Sequence, residues 1–284
     1  CRYPISPRKK LYCWKKNIKK FFRNFAMLKT RVIPTMLWKD LSLVKGIGFN
    51  SWRRVGSVMP AVKIYNSRDV DELILLDITA TIDDREPDEQ SIKSFASECF
   101  VPLTIGGGIK KLSQIEYLLG SGADKISINS QSYIDPTFIK KASDYFGSQC
   151  IISSIDFKKM GNKKYSCFSN SGTKDMDKEP IEWAKKMEQL GCGEILLTSI
   201  DLDGSQKGYD IELIKKVSEA VTIPVIASGG AGNYEHMIAA IKDGGASAVA
   251  AASIFHFTDK TPAKAKEAMK SENIPVRDCF KIKQ

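Results

Sequence analysis

The chain repeats itself, and that repeat limits what it can fold into more than any other feature. Residues 102–130 read PLTIGGGIKKLSQIEYLLGSGADKISINS, and residues 224–253 read PVIASGGAGNYEHMIAAIKDGGASAVAAAS. Both follow one plan: apolar run, glycines, helical stretch, Gly-Ala, apolar run, Ser. Shorter echoes set residues 33–39 (IPTMLWK) beside 152–158 (ISSIDFK), and Leu76-Asp77 beside Leu197-Thr198. One supersecondary unit used twice implies two equivalent halves that share a core.

Between the echoes, short apolar runs alternate with segments of helical periodicity, the signature of parallel βα units. The runs at 31–37, 72–77, 103–105, 125–128, 150–156, 194–198, 225–227 and 247–251 read as strands. Residues 112–119, 181–190, 211–220 and 234–242 read as helices among them. Eight strands in the 258 residues after position 26 fit a (β/α)₈ TIM barrel, whose usual size is ~250 residues. A doubly wound open sheet would show the same alternation. The repeat favours the barrel, with strands 1–4 recurring as strands 5–8.

The net charge of +10 invites a nucleic-acid partner, but its distribution withdraws the invitation. Residues 1–26 hold nine Lys or Arg and no acid, leaving 34 basic residues against 33 acidic ones elsewhere. Residues 1–26 therefore read as a basic extension ahead of a domain spanning 27–284. Lys15 to Arg23, with Trp14, Phe21, Phe22 and Phe25, could also form a basic amphipathic helix. No apolar run approaches the ~18 residues of a spanning helix. Seven scattered cysteines suit a reduced, cytoplasmic protein. The two histidines, His236 and His256, are too far apart for ligand spacing, so no metal or cofactor is called for.

The repeat also locates chemistry. Gly106-Gly107-Gly108 follows one strand and Ser228-Gly229-Gly230 its counterpart, while Asn129-Ser130 and Ala252-Ser253 end the next strands. Glycines after a strand let backbone N–H groups approach an anion, and a following helix N-terminus favours negative charge. Barrels place such sites at the C-terminal face, so two of them imply a substrate with a phosphate at each end. Between them the sequence sets acids at strand ends: Asp77, Asp156, Asp201 and Asp203. A carboxylate there is placed for general acid or base work, and Asp156, after the run CIISSI, is the leading candidate. Its repeat partner is Leu37, which cannot transfer a proton.

The stretches VDELILLDITAT, PLTIGGGI, GADKISINS, FGSQCIISSID, GEILLTSIDLDGSQKGYD, IPVIASGGAGNYEH and AAASIFHF resemble the cyclase subunit of imidazole glycerol phosphate synthase, the HisF family, over about residues 27–277. The resemblance implies a subunit that takes ammonia from a HisH-like glutaminase in a heterodimer. It uses that ammonia to split and cyclise a bisphosphorylated formimino ribonucleotide (PRFAR). It implies phosphate contacts at Gly108, Asn129, Ser130, Asp203, Gly204, Gly230 and Ser253, further site positions at Lys45, Asp77, Thr198 and Ser228, and an essential acid at Asp156. The family's second essential Asp, ending strand 1, is Leu37 here, and the loop after it departs as well. Such departures resemble HisF-like paralogues found with surface-polysaccharide genes. That resemblance implies relaying ammonia to a separate amidotransferase that modifies sugars.

Arg31, Glu72, Lys125 and Glu194 stand at the starts of strands 1, 2, 4 and 6. Four charges at the bottom of an apolar barrel need one another, because an isolated buried charge is costly. They form either a salt-bridged lid or, as the resemblance implies, a gate for ammonia. Three readings follow: an ammonia-using synthase outside histidine synthesis, a genuine imidazole glycerol phosphate synthase subunit, and a non-catalytic ammonia conduit.

Overall fold

A computed structural model describes residues 29–40, 42–161 and 164–278. The basic extension at 1–26 lies outside the described residues. Eight parallel strands close into a barrel: β1 (Arg31–Lys39), β4 (Leu73–Asp77), β5 (Leu103–Gly106), β6 (Lys125–Ile128), β7 (Ile151–Lys159), β10 (Glu194–Ser199), β11 (Val225–Ser228) and β12 (Ala248–Ala251). Each pairs with the next in that order, and β12 pairs with β1 to close the ring. The fold is a (β/α)₈ TIM barrel. In it β1 lies diametrically opposite β7, and the β5–β6 pair opposite β11–β12, as the repeat requires.

Parallel strands are buried on both faces, which explains their unbroken apolar runs. Along β1, Val32, Met36 and Trp38 face the helices, while Ile33 joins Ile74, Ile152, Leu196, Ile226, Ala248 and Ala250 inside the barrel. The outer layer comprises α1 (Val58–Ser67), α2 (Glu89–Ser97), α3 (Leu112–Gly120), α4 (Ser130–Ile134), α5 (Thr137–Phe146), α6 (Pro180–Gln189), α7 (Ile211–Ala220), α8 (Tyr234–Lys242), α9 (Ser253–Phe257) and α10 (Pro262–Ser271). Several begin on a side chain that accepts an otherwise unpaired N–H: Asp88 from Ser91, Asp210 from Leu213, and Asn233 from His236. Among the described residues no helix is long and apolar enough to cross a membrane.

Two strands differ from the sequence reading in the same way. Strand 1 continues past Leu37 to Lys39, then folds back as the hairpin β2 (Ser42–Ile47) and β3 (Asn50–Ser57). Strand 5 continues past Asp156 to Lys159 and folds back as β8 (Tyr165–Ser169) and β9 (Lys174–Asp175). Neither segment shows an unbroken apolar run: lysines, arginines and glycines interrupt the first, and the second pairs the short, buried polar–aromatic β8 with a charged two-residue β9. The two-fold relation thus extends beyond the barrel to a pair of hairpins above opposite strands. At the first strand end of β4, Glu72 precedes the strand instead of opening it.

Candidate active site

Strand ends and hairpins together enclose a cavity of about 320 Å³ at the C-terminal face. Asp77, Gly108, Asn129, Ser130, Asp156, Thr198, Asp203, Gly204, Ser228, Gly230, Ser253, Lys45 and Leu37 all line it. In sequence these residues span more than two hundred positions, and the fold brings all of them to one chamber. Asp201 does not join them: its carboxylate accepts the Lys159 N–H at 3.0 Å outside the cavity.

Asp156 sits on β7 with Thr198 beside it in register on β10. Asn129 Nδ2 donates to Asp156 Oδ2 at 3.2 Å, and also to the Ser154 carbonyl at 3.1 Å. Burial, reinforced by the nearby charge of Asp203, pushes the Asp156 carboxyl up to about 7, although hydroxyl contacts from Ser154 and Thr198 pull the other way. A carboxyl that titrates there holds and releases a proton near neutral pH, which is what general acid–base work requires. The other two acids are occupied. Asp203 pairs with Lys45, whose side chain is only 2% exposed. Asp77 pairs with Arg85 at 2.8 Å and accepts the N–H groups of Thr79 and Ala80.

Across the barrel, Leu37 occupies the position opposite Asp156 and presents no group that titrates. At right angles to that axis lie two similar corners. One combines Gly107 and Gly108 after β5 with Asn129 and Ser130, where β6 gives way to α4. The other combines Gly229 and Gly230 after β11 with Ala252 and Ser253, where β12 gives way to α9. Backbone donors and helix starts suit each corner to an anion. Gly230 has a further reason to be glycine. Its φ is +114°, and a Cβ there would meet the Gly208 carbonyl oxygen at 2.0 Å, so the residue is fixed by loop packing rather than by clearance for an anion.

Arg31, Glu72, Lys125 and Glu194 close the opposite end of the barrel as a continuous ring. Arg31 bonds Glu72 at 2.8 Å and Glu194 at 2.9 Å, and Lys125 bonds Glu72 at 3.1 Å and Glu194 at 2.7 Å. All four are largely buried and each acid meets both cations, so Glu194 titrates below its usual range despite burial.

Several cavity residues escaped the sequence reading. Ser154 touches Asp156 at 3.5 Å and could have been found by strand alternation, two places before it on the same face. Thr81, Ser171, Phe49 and Trp52 had no signal, because they reach the site from segments without periodicity, and Arg85 touches it only through its pairing with Asp77. Ser171 Oγ donates to the Ile78 carbonyl at 2.7 Å, carrying the β8–β9 turn to the cavity edge.

The fold and site define a class: a (β/α)₈ barrel of two equivalent halves whose C-terminal cavity is lined by Asp156 and by two matched glycine–serine corners. Residues 31–261 match the family model described as histidine biosynthesis protein. An imidazole glycerol phosphate synthase subunit HisF from Endomicrobium trichonymphae is 49% identical over 251 residues, covering 88% of this chain and 96% of that protein. The chain belongs to the histidine biosynthesis protein family, among its HisF-like members.

Proposed function

We propose that this chain is the ammonia-using synthase subunit of a glutamine amidotransferase complex of the imidazole glycerol phosphate synthase type. The observation that carries the reading is the cavity itself, with two matched corners on opposite sides and Asp156 on β7, which lies between them in strand order. A substrate bearing a phosphate at each end spans the corners and lays its middle beside Asp156. That carboxyl, near 7, gives a proton to a leaving group and recovers it from the incoming nitrogen nucleophile. Asn129 holds the carboxylate in place, and Lys45 is kept in reach by Asp203. A HisH-like glutaminase docks at the end closed by Arg31, Glu72, Lys125 and Glu194, and its ammonia passes that ring to the cavity. The complex works in the cytoplasm.

A specific observation favours a second reading of the acceptor. Leu37 leaves the cavity with one of the two essential acids that the resemblance calls for, which fits a paralogue whose ammonia serves a separate amidotransferase acting on surface-polysaccharide sugars. Losing a positioned acid or base lowers rates by ~10²–10⁴. Turnover of PRFAR by the purified chain with ammonium salts is therefore expected to be weak, and Leu37→Asp is expected to raise it. Vigorous turnover by the unmodified chain refutes the paralogue reading and assigns it to histidine synthesis. No turnover by either form, with glutaminase activation intact, assigns it to ammonia conduction.

A further inference from the structure

A fully buried lysine stands apart from the cavity. Lys266, on the buried face of α10, is 1% exposed and does not line the chamber at the strand ends. Its Nζ donates to the Asp71 carboxylate at 3.1 Å and to the Asp69 carbonyl. Arg277, beyond α10, grips the same loop. Its Nε lies 3.1 Å from the Asp71 carboxylate, and its Nη2 donates to the Val70 carbonyl. The other oxygen of Asp71 accepts the Val32 N–H at 2.9 Å.

These contacts end beside two members of the charged ring. Glu72 follows Asp71, and Arg31 precedes Val32. On the other side of Arg31, the Thr30 N–H donates to the Pro275 carbonyl at 2.7 Å, and Thr30 bridges to Val276. The segment from Lys266 to Arg277 thus holds the backbone on both sides of Arg31 and immediately before Glu72. The acid before Lys125 offers a comparison. Asp124 accepts the Leu103 N–H at 2.8 Å, the same service that Asp71 gives Val32, yet it has no ion pair among the described residues. Capping a strand start therefore does not call for a buried cation.

Taking a lysine out of water is costly, and an apolar side chain of similar volume often serves stability as well. What the ion pair adds is direction. A carboxylate with one oxygen on Val32 and the other on Lys266 and Arg277 cannot turn, so Arg31 and Glu72 enter the ring from fixed points.

We propose that Lys266 is a positioning residue for the ring: through Asp71 it sets where Arg31 and Glu72 meet, and so how tightly the ring closes the path of ammonia. The inference rests on the gate reading of the ring. It adds the element that holds the gate in shape, a C-terminal segment whose Lys266 neither lines the cavity nor pairs with the ring.

Acylation of the full chain by a small amine-reactive reagent, read peptide by peptide in a mass spectrometer, tests the positioning. Lys125, 15% exposed, reports on the ring, and Lys45, 2% exposed at the far end of the barrel, reports on global unfolding. Lys266→Met is expected to raise Lys125 acylation about five-fold or more while Lys45 stays within about two-fold. With the HisH-like glutaminase docked, the ratio of glutamine-dependent to ammonium-dependent PRFAR turnover should fall, as for Lys125→Ala. Unchanged Lys125 acylation, or a rise matched by Lys45, overturns the inference. So does a ratio that Lys125→Ala lowers and Lys266→Met leaves alone. If neither variant moves the ratio, the gate reading falls, and Lys125 acylation still decides whether Lys266 positions the ring. Should Lys266→Met fail to fold, Lys266→Gln, which keeps a donor for the Asp69 carbonyl, is read against the same outcomes.

Discussion

Replacing Asp156 by Asn should stabilise the protein at alkaline pH while abolishing its proton chemistry. In the folded chain this carboxyl keeps its proton up to about pH 7, whereas an ordinary aspartate releases it near 3.8. Between those values the folded state binds more protons than the unfolded state, so stability falls as pH rises through that window, and the full penalty is present above it. At about 1.4 kcal/mol per pH unit, the gap sets a ceiling of about 4 kcal/mol. One side of Asp156 faces the cavity, where water screens the charge, which reduces the expected gain to roughly 1–2 kcal/mol. For a domain of this size that corresponds to a rise of about 2–6 °C in melting temperature. Thermal unfolding of both proteins at pH 5 and pH 8 is the assay. At pH 5 the folded carboxyl still holds its proton but the unfolded one has lost it, so the two should differ by only about a third of the separation expected at pH 8. Equal melting at pH 8, or the same separation at both pH values, would refute the argument that burial and Asp203 strain this carboxylate.

Lys125→Ala leaves Glu72 and Glu194 sharing Arg31 alone, and a stability loss of about 2 kcal/mol is expected from the stranded charge. If the ring also governs ammonia entry, glutamine-dependent turnover should fall further than ammonium-dependent turnover in the same preparation; an equal fall in both marks the ring as purely structural. Ser253→Ala should weaken inorganic phosphate binding, read as a smaller rise in melting temperature at millimolar phosphate, without lowering the melting temperature of the free protein. Gly230→Val behaves differently: its side chain meets the Gly208 carbonyl at 2.0 Å, so phosphate binding and stability should fall together.

The barrel was legible because parallel strands bury both faces and so write themselves as apolar runs, and because the repeat resolved barrel from open sheet. The two matched corners of the cavity were legible for a related reason: glycines and serines recur at matched offsets from those runs. The two hairpins were not. Residues 40–57 mix Lys45, Arg53 and Arg54 with Gly46, Gly48 and Gly56, and their pairing is dictated by contacts with Asp203 and Phe257 far along the chain. Side-chain pairing also hid how the acids differ. Asp77, Asp156 and Asp203 look alike in sequence, yet Arg85 pairs with the first and Lys45 with the third, while burial pushes the middle one up to about 7.

The charged ring carries instructions for how the two halves of this molecule recognise each other. Arg31, Glu72 and Lys125 belong to the first four barrel strands, and Glu194 to the last four, so the first half brings a surplus positive charge to the ring and the second half a negative one. Severed between Ile128 and Ile151, each fragment would expose two unpaired strand edges, which by hydrogen bonding alone could join to a copy of itself. Two first halves, however, would bring four cations against two acids into one buried ring, and two second halves would bring a pair of acids with no cation. Only the mixed pair is neutral. Like-charge repulsion in a low-dielectric setting thus selects the heterodimer of fragments over either homodimer, and the duplicated barrel keeps its two halves distinct at the end away from the chemistry.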